Sequence, residues 1–178
     1  MKKIMVILAC ALLGTSGVVS FAGCERTTPS SDEEARKQYA SLIASVQVGG
    51  RLIAAQRAIR RESTSLAREK PCDEYYDLVK SLKGQRVALC GVIKNVGTRI
   101  WGNGLYISLI VDGDFDVKFV FTKDALPLLK SLKTGARLWM EGNVVSTGDL
   151  LHQLTVDSPI FLSEHDFKEA VRLGAAKD

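Results

Sequence analysis

The sequence predicts an α+β protein, with an N-terminal helical segment followed by a five-stranded β-barrel that carries a helix between strands 3 and 4. Three observations predict it. Apolar residues recur every three or four positions up to about Lys83, then alternate from Gln85 onward. The alternating runs are short and separated by turn residues, and a single helical run interrupts them between the third and fourth. Gly91 and Gly142 fall inside two of these runs, where a strand curling round a small barrel needs a bend or bulge. A 46% hydrophobic content with only 4 prolines marks a globular chain.

The helical segment, 32–83, opens with Ser31-Asp32-Glu33-Glu34, a capping box with Ser31 as N-cap. A first helix is expected from Asp32 to about Gln47, with Tyr39, Leu42, Ile43 and Val46 on one face. Gly49-Gly50 is expected to break or bend it. A second stretch from Arg51 to about Glu69 turns Leu52, Ile53, Ile59 and Leu66 to one side, and Pro71 ends it. A third helix runs from Asp73 to Leu82, with Gly84 as its C-terminal stop. Arg51, Arg57, Arg60, Arg61 and Arg68 form a basic cluster. It is either a surface for anionic head groups or a solvated face partnered by acids such as Glu62 and Glu69.

The barrel region, 84–163, begins with a strand over Arg86–Val96, with Val87, Leu89 and Ile93 on one face. The second strand, Leu105–Val111, turns Leu105, Ile107, Leu109 and Val111 inward. Asp112-Gly113-Asp114 is a hairpin turn, and Val117–Thr122 is the third strand, with Val117, Phe119 and Phe121 inward. A helix over Lys123–Leu132 precedes the fourth strand, Arg137–Val145, whose inward residues are Leu138, Met140 and Val144. The fifth, Leu151 to about Leu162, is expected to be interrupted at Pro159. A helical tail, 164–178, closes the chain. Three strands, a helix and two strands is the order of an OB-fold, a Greek-key barrel.

Two motifs carry a family resemblance. The run Leu82-Lys83-Gly84-Gln85-Arg86-Val87-Ala88-Leu89-Cys90-Gly91-Val92-Ile93 resembles the first strand of the tRNA-anticodon-like OB family. Lys133-Thr134-Gly135 followed by Leu138-Trp139-Met140-Glu141-Gly142-Asn143-Val144 resembles that family's fourth strand. The resemblance covers about half of the chain after its leader, and its motifs are those of barrel geometry. It implies a fold rather than a reaction. Many members of the family look like envelope proteins without an assigned activity.

The N-terminus resembles a bacterial lipoprotein signal. Lys2 and Lys3 precede an apolar stretch, and Phe21-Ala22-Gly23-Cys24 stands where a lipobox would. The resemblance implies removal of 1–23, diacylglycerol attachment at the Cys24 sulfur, and a polar tether over 24–31. An uncleaved anchor is the alternative, since the apolar run approaches the roughly 20 residues that span a bilayer. Glu25 follows the lipid-bearing cysteine where Asp is the usual inner-membrane retention signal, which favours the outer membrane, periplasmic side. Without the leader the net charge falls from +4 to +2, no electrostatic case for a nucleic-acid partner. An envelope location argues against one further.

Cys72 and Cys90 remain as a lone pair. An oxidising compartment favours a disulfide, worth about 3 kcal/mol if the geometry permits, and two separately buried thiols are the alternative. Candidate binding residues come from where OB barrels meet ligands, on strands 2 and 3 and the neighbouring loops. The loop between strands 1 and 2 holds Arg99 and Trp101, suited to stacking a base, a sugar or a partner's side chain, or else to folding over the barrel mouth. Tyr106, Ser108, Lys118 and Val120 point outward nearby, with Asp149 and His152 near the other loop. No catalytic residue, metal or cofactor is implied: His152 and His165 lack partner spacing, and Asp112, Asp114 and Asp116 lack the glycine and glutamate of a calcium loop. Three functions remain open: a noncatalytic module contacting another envelope component through its lipid-anchored position, a binder of oligosaccharide or extracellular nucleic acid, and a structural or stress-related lipoprotein.

Overall fold

The computed structural model describes residues 31–98, 104–147 and 153–175. The expected signal, Cys24, Arg99, Trp101, Asp149 and His152 lie outside the described residues.

The first helix, α1 (Asp32–Arg61), is a single helix of 30 residues. Ser31 caps it as expected, its hydroxyl accepting the Glu34 N–H at 3.3 Å. Gly49-Gly50 does not break it. The buried positions are Ala35, Tyr39, Leu42, Ser45, Gly49, Leu52, Gln56 and Ile59, one stripe at steps of three and four that passes through Gly49 without interruption. Gly49 is part of the packing. A Cβ there would collide with the Ala88 carbonyl oxygen and stand 3.0 Å from Leu89 Cδ2, so the missing side chain lets the helix lie against the barrel.

The second helix, α2 (Ser65–Ser81), also merges two expected pieces, and Pro71 lies inside it. Thr64 caps it through the Ala67 N–H at 3.2 Å. Its first two turns stand in solvent, and Leu66, expected on a buried face, is 80% exposed. The buried Tyr75 and Val79 beyond the proline hold the helix in place, so loss of one hydrogen bond is tolerated.

The strands are β1 (Arg86–Thr98), β2 (Leu105–Val111), β3 (Phe115–Phe121), β4 (Arg137–Thr147) and β5 (Leu154–Phe161). They close in the order β1-β2-β3-β5-β4, with β3 and β5 parallel and every other pair antiparallel. That is the OB-fold order. The expected helix after β3 is a 3₁₀ turn, Lys123–Ala125, running into α3 (Leu126–Ser131). The barrel is filled from all strands by residues such as Leu89, Ile107, Phe119, Met140 and Val156, each at most 1% exposed.

Both glycine bends are occupied by close neighbours. A Cβ on Gly91 would sit 2.8 Å from the Ile110 carbonyl, and one on Gly142 would sit 2.6 Å from the Asp157 carbonyl. Next to Gly91, Val92 is paired on both sides, with Arg137 of β4 and Ile110 of β2, so the long strand changes partner there. Pro159 does not interrupt β5. A register shift opposite β4 accommodates it, with Ser158 at φ 47°.

The helices complete the core. Leu52 and Ile59 of α1 and Tyr75, Val79 and Leu82 join the barrel residues in one cluster, with Tyr75 packed edge-on to Phe115 at 6.3 Å. The last helix, α4 (Glu164–Ala175), joins α1 and Ala88 in a second cluster through Ala170 and Leu173. Tyr39 donates to Asp166 across it at 2.8 Å. A buried polar contact fixes α1 to β4: Ser45 donates to Glu141 at 2.6 Å, and Arg86 pairs with the same carboxylate at 2.9 Å.

Cys72 and Cys90 are free thiols, and the expected disulfide is not formed. Cys72 sits on α2 against the main core cluster. Cys90 lies on β1 beside Arg137, Glu164 and Lys168, and partial burial pushes its thiol up from the ordinary value. Among the described residues, no helix is long and apolar enough to cross a membrane.

Candidate binding site

The main helix packing falls on one side of the barrel: α1 lies along β1, and α2 and α4 reach β4. The outer face of β2 and β3 retains partly exposed side chains. Cross-strand pairing puts Tyr106 opposite both Gly97 and Val120, and Ser108 opposite both Asn95 and Lys118. Partners opposite one another share a face, so Asn95, Gly97, Tyr106, Ser108, Lys118 and Val120 form one surface.

Tyr106 is its centre. Its ring lies over Gly97, where a Cβ would come within 3.0 Å of the ring carbon bearing the hydroxyl. Asn95 donates to the Tyr106 hydroxyl at 3.1 Å. The Lys118 ammonium stands 4.8 Å from the ring centroid, within range of a cation–π contact. The tyrosine is therefore held flat by neighbours on three sides. The cation over this ring can pair with a carboxylate or phosphate, and the ring can stack a planar or sugar group once Lys118 swings aside.

Asp116 anchors the other end of the face. It accepts from Lys94 at 2.8 Å, from Gln153 at 3.1 Å and from the Ser108 hydroxyl. Burial pushes its carboxyl up, but the hydrogen bonds from Lys94, Ser108 and Gln153 outweigh burial and hold it below the usual range. Ser108 is thus committed to Asp116, and only 4% of it is exposed, so it does not offer its hydroxyl to a ligand.

The three aspartates of the hairpin are all engaged by cations. Arg57 holds Asp112 through two bonds of 2.6 Å, and Arg60 reaches Asp112 at 3.1 Å and also pairs with Asp114. The Arg57 hydrogen bonds are the largest cause of an Asp112 carboxyl lowered to about 2. Two members of the basic cluster are therefore clamps between α1 and the β2–β3 turn, and their acids lie on the barrel rather than at Glu62 and Glu69. Arg68 donates to the Glu62 backbone carbonyl at 2.7 Å.

Of the expected binding residues, Tyr106 and Lys118 come together. Lys94, Asn95 and Gln153 were not foreseen. The β1–β2 register shifts between Ile93 and Asn95, which leaves Lys94 as an extra residue and reverses the alternation that would have sorted the faces. Asp116 was legible by counting back from the turn, since Val111 pairs with Phe115 and Ile110 with Asp116.

The chain matches no sequence-family profile and no curated protein. Solved structures with a similar barrel include a Klebsiella pneumoniae lipoprotein provisionally described as nucleic acid-binding. It is 18% identical, covers 53% of this chain and 84% of its own, and has a TM-score of 0.44. An OBody bound to hen egg-white lysozyme is 15% identical over 47% of this chain and 86% of its own, with a TM-score of 0.37. RecG bound to a three-way DNA junction is 20% identical over 49% of this chain and 12% of its own, with a TM-score of 0.36. The barrel is an OB-fold on its own strand order.

Proposed function

We propose that this chain is a lipid-anchored bacterial envelope protein whose OB barrel is a noncatalytic module that binds another envelope or surface component. The anchor reading rests on Phe21-Ala22-Gly23-Cys24 behind the Lys2-Lys3 apolar leader. The binding reading is carried by one observation: the helices pack on β1 and β4, while the β2–β3 face keeps a fixed Tyr106 with Lys118 above it. Glu25 favours the periplasmic side of the outer membrane. Polar residues from Glu25 to Ser31 then serve as the tether between lipid and barrel.

A photo-crosslinking residue placed at Tyr106 or Lys118, activated in intact cells, tests the reading. A discrete protein adduct is expected, lost when the same residue is placed on the helix side of the molecule, at the exposed Arg51 of α1. A smear of equal intensity from both faces would count against a binding module. Labelled palmitate tests the anchor separately: the wild type should take it up, and a Cys24→Ser variant that is still processed and labelled would overturn it.

A second reading follows from the aromatic–cation pair: an oligosaccharide or extracellular nucleic acid stacks on this face, joined by Arg99 and Trp101 of the adjoining loop. Unchanged glycan and oligonucleotide binding in Trp101→Ala and Tyr106→Ala would eliminate it.

A further inference from the structure

A second surface lies beside this face and does not depend on the reading above. The pairing of β1 with β4 ends at Val92↔Arg137, followed by the Ile93 N–H to Ala136 carbonyl bond at 2.8 Å and the Gly135 N–H to Ile93 carbonyl bond at 2.9 Å. From Asn95 to Thr98 the strand is paired on the β2 side only, and the bulged Lys94 has no ladder partner. In an antiparallel ladder every second residue turns its N–H and C=O away from the partner. Among the described residues, no backbone group meets Lys94–Thr98 from the far side. Among the described residues, the sheet therefore has an open edge where β4 has left it.

Across that edge stands α3, and between them is a groove of about 470 Å³. Its apolar lining is Val96 and Leu105 on the strand side and Leu126, Leu129 and Leu132 on the helix side, interspersed with polar residues such as Asn95 and Thr134. Leu126 is 41% exposed. The charged residues lining it are Lys94 and Lys130, with no carboxylate among the lining residues. Lys94 is balanced by Asp116 at 2.8 Å, whereas Lys130 is exposed and has no ion-pair partner among the described residues.

We propose that this groove takes an extended acidic–apolar peptide segment of a partner protein, which adds as a strand to the β1 edge. An open edge supplies backbone donors and acceptors, an apolar wall supplies pockets for alternate side chains, and the two together are what strand addition requires. A strand rises about 3.3 Å per residue, so the five-residue edge accommodates a segment of matching length. Charge selects the partner. A bulge and lysines on an edge discourage pairing with a second copy of the same lysine-bearing edge, and Lys130, which has no ion-pair partner among the described residues, favours an acidic strand.

The test uses the whole chain after its leader, immobilised and panned with short random peptides displayed on phage. Counter-panning uses a Leu126→Asp, Lys130→Glu double variant, whose far-UV circular dichroism must match the wild type. If that variant does not fold, Lys130→Glu alone serves. Enriched peptides should alternate apolar and acidic residues. They should lose roughly tenfold in affinity when N-methylated at alternate positions, because those amides pair with the edge, and little when methylated at the others. They should shift the backbone amide resonances of Asn95–Thr98. Enrichment no greater than on the double variant overturns the proposal. So does binding indifferent to N-methylation, which would mean side-chain docking alone. Decanoate shifting the Leu126 and Leu132 methyls with no peptide enriched would also overturn it, by assigning the groove to a small amphiphile.

Discussion

Gly49 and Gly50 are neighbours on one helix, and alanine should stabilise the protein at Gly50 but not at Gly49. In an exposed helix interior Gly→Ala gains about 1 kcal/mol, because glycine loses more backbone freedom on folding. Gly50 is exposed with nothing within 4 Å of an added Cβ, so Gly50→Ala should gain that full amount. At this chain length the gain corresponds to a Tm rise of about 2–4 °C. Gly49 faces Ala88, whose carbonyl belongs to the strand residue opposite Glu141, and Leu89 Cδ2 is 3.0 Å from the added carbon. The side chain can rotate away, but the carbonyl can move only by distorting β1 or lifting the helix. Overpacking of this kind costs about 1–3 kcal/mol, which outweighs or cancels the propensity gain. Gly49→Ala should therefore fall about 1–3 kcal/mol below Gly50→Ala in stability. Urea unfolding followed by circular dichroism measures both, with equal m-values as the condition for comparing midpoints. Equal stabilisation by the two alanines would refute the close approach of α1 to β1, and with it the reason α1 stays continuous.

The remaining expectations concern titration and thiols. The Asp112 carboxyl, lowered to about 2 chiefly by its Arg57 hydrogen bonds, stabilises the fold above the unfolded value near 3.9. That contribution is lost as pH falls through the folded value. Asp112→Asn should remove this acid dependence, and a carboxyl resonance titrating at the ordinary aspartate value would contradict it. Tyr75 is fully buried, and burial is the main cause that pushes its hydroxyl up to about 12. Its raised value means that the stabilisation is whole below the unfolded value near 10 and disappears as pH rises through 12. Absorbance near 295 nm should show one tyrosine ionising at the highest pH, absent in Tyr75→Phe. Denatured without reductant, the chain should be alkylated at both Cys72 and Cys90, and mass spectrometry finding them joined would contradict the free thiols.

The barrel and the helical segment before it were legible, but the division of that segment into helices was not, for a physical reason. In β2 the inward set Leu105, Ile107, Leu109 and Val111 is wholly apolar, so alternation alone located the strand at its observed limits. In α1 the buried stripe includes Ser45, Gly49 and Gln56, none of them apolar signals. A pattern read through Tyr39, Leu42, Ile43 and Val46 drifts off that stripe, and Gly49-Gly50 then looks like a stop. Those small and polar residues serve contacts that only the fold supplies: Ser45 meets Glu141 from far along the chain, and Gly49 admits the Ala88 carbonyl. Pro159 and Lys94 were opaque in the same way, since each sits at a bulge whose position depends on the neighbouring strand. Tyr106 and Lys118 could be placed on one face from the sequence because both lie on regular strands. The groove at Lys94–Thr98 was missed because it belongs to a strand whose partner has departed.

The helical clamp also bears on where a ligand can act. Arg57 and Arg60 join the far end of α1 to the β2–β3 turn, while Ser45 and Glu141 fix its middle and Tyr39 ties its beginning to Asp166. Two of these points hold α1 to the barrel and the third holds it to α4, so along its 30 residues α1 is tied to both. A ligand on the β2–β3 face would therefore gain little from shifting α1, because each polar contact would have to be broken with a buried or paired group left behind. A strand added to the β1 edge faces no such cost. It meets backbone groups that nothing in the described fold satisfies, and it would extend a sheet that already exists. The two surfaces meet at Asn95 and Gly97, so any coupling between them should run locally through that stretch of β1 and not through α1.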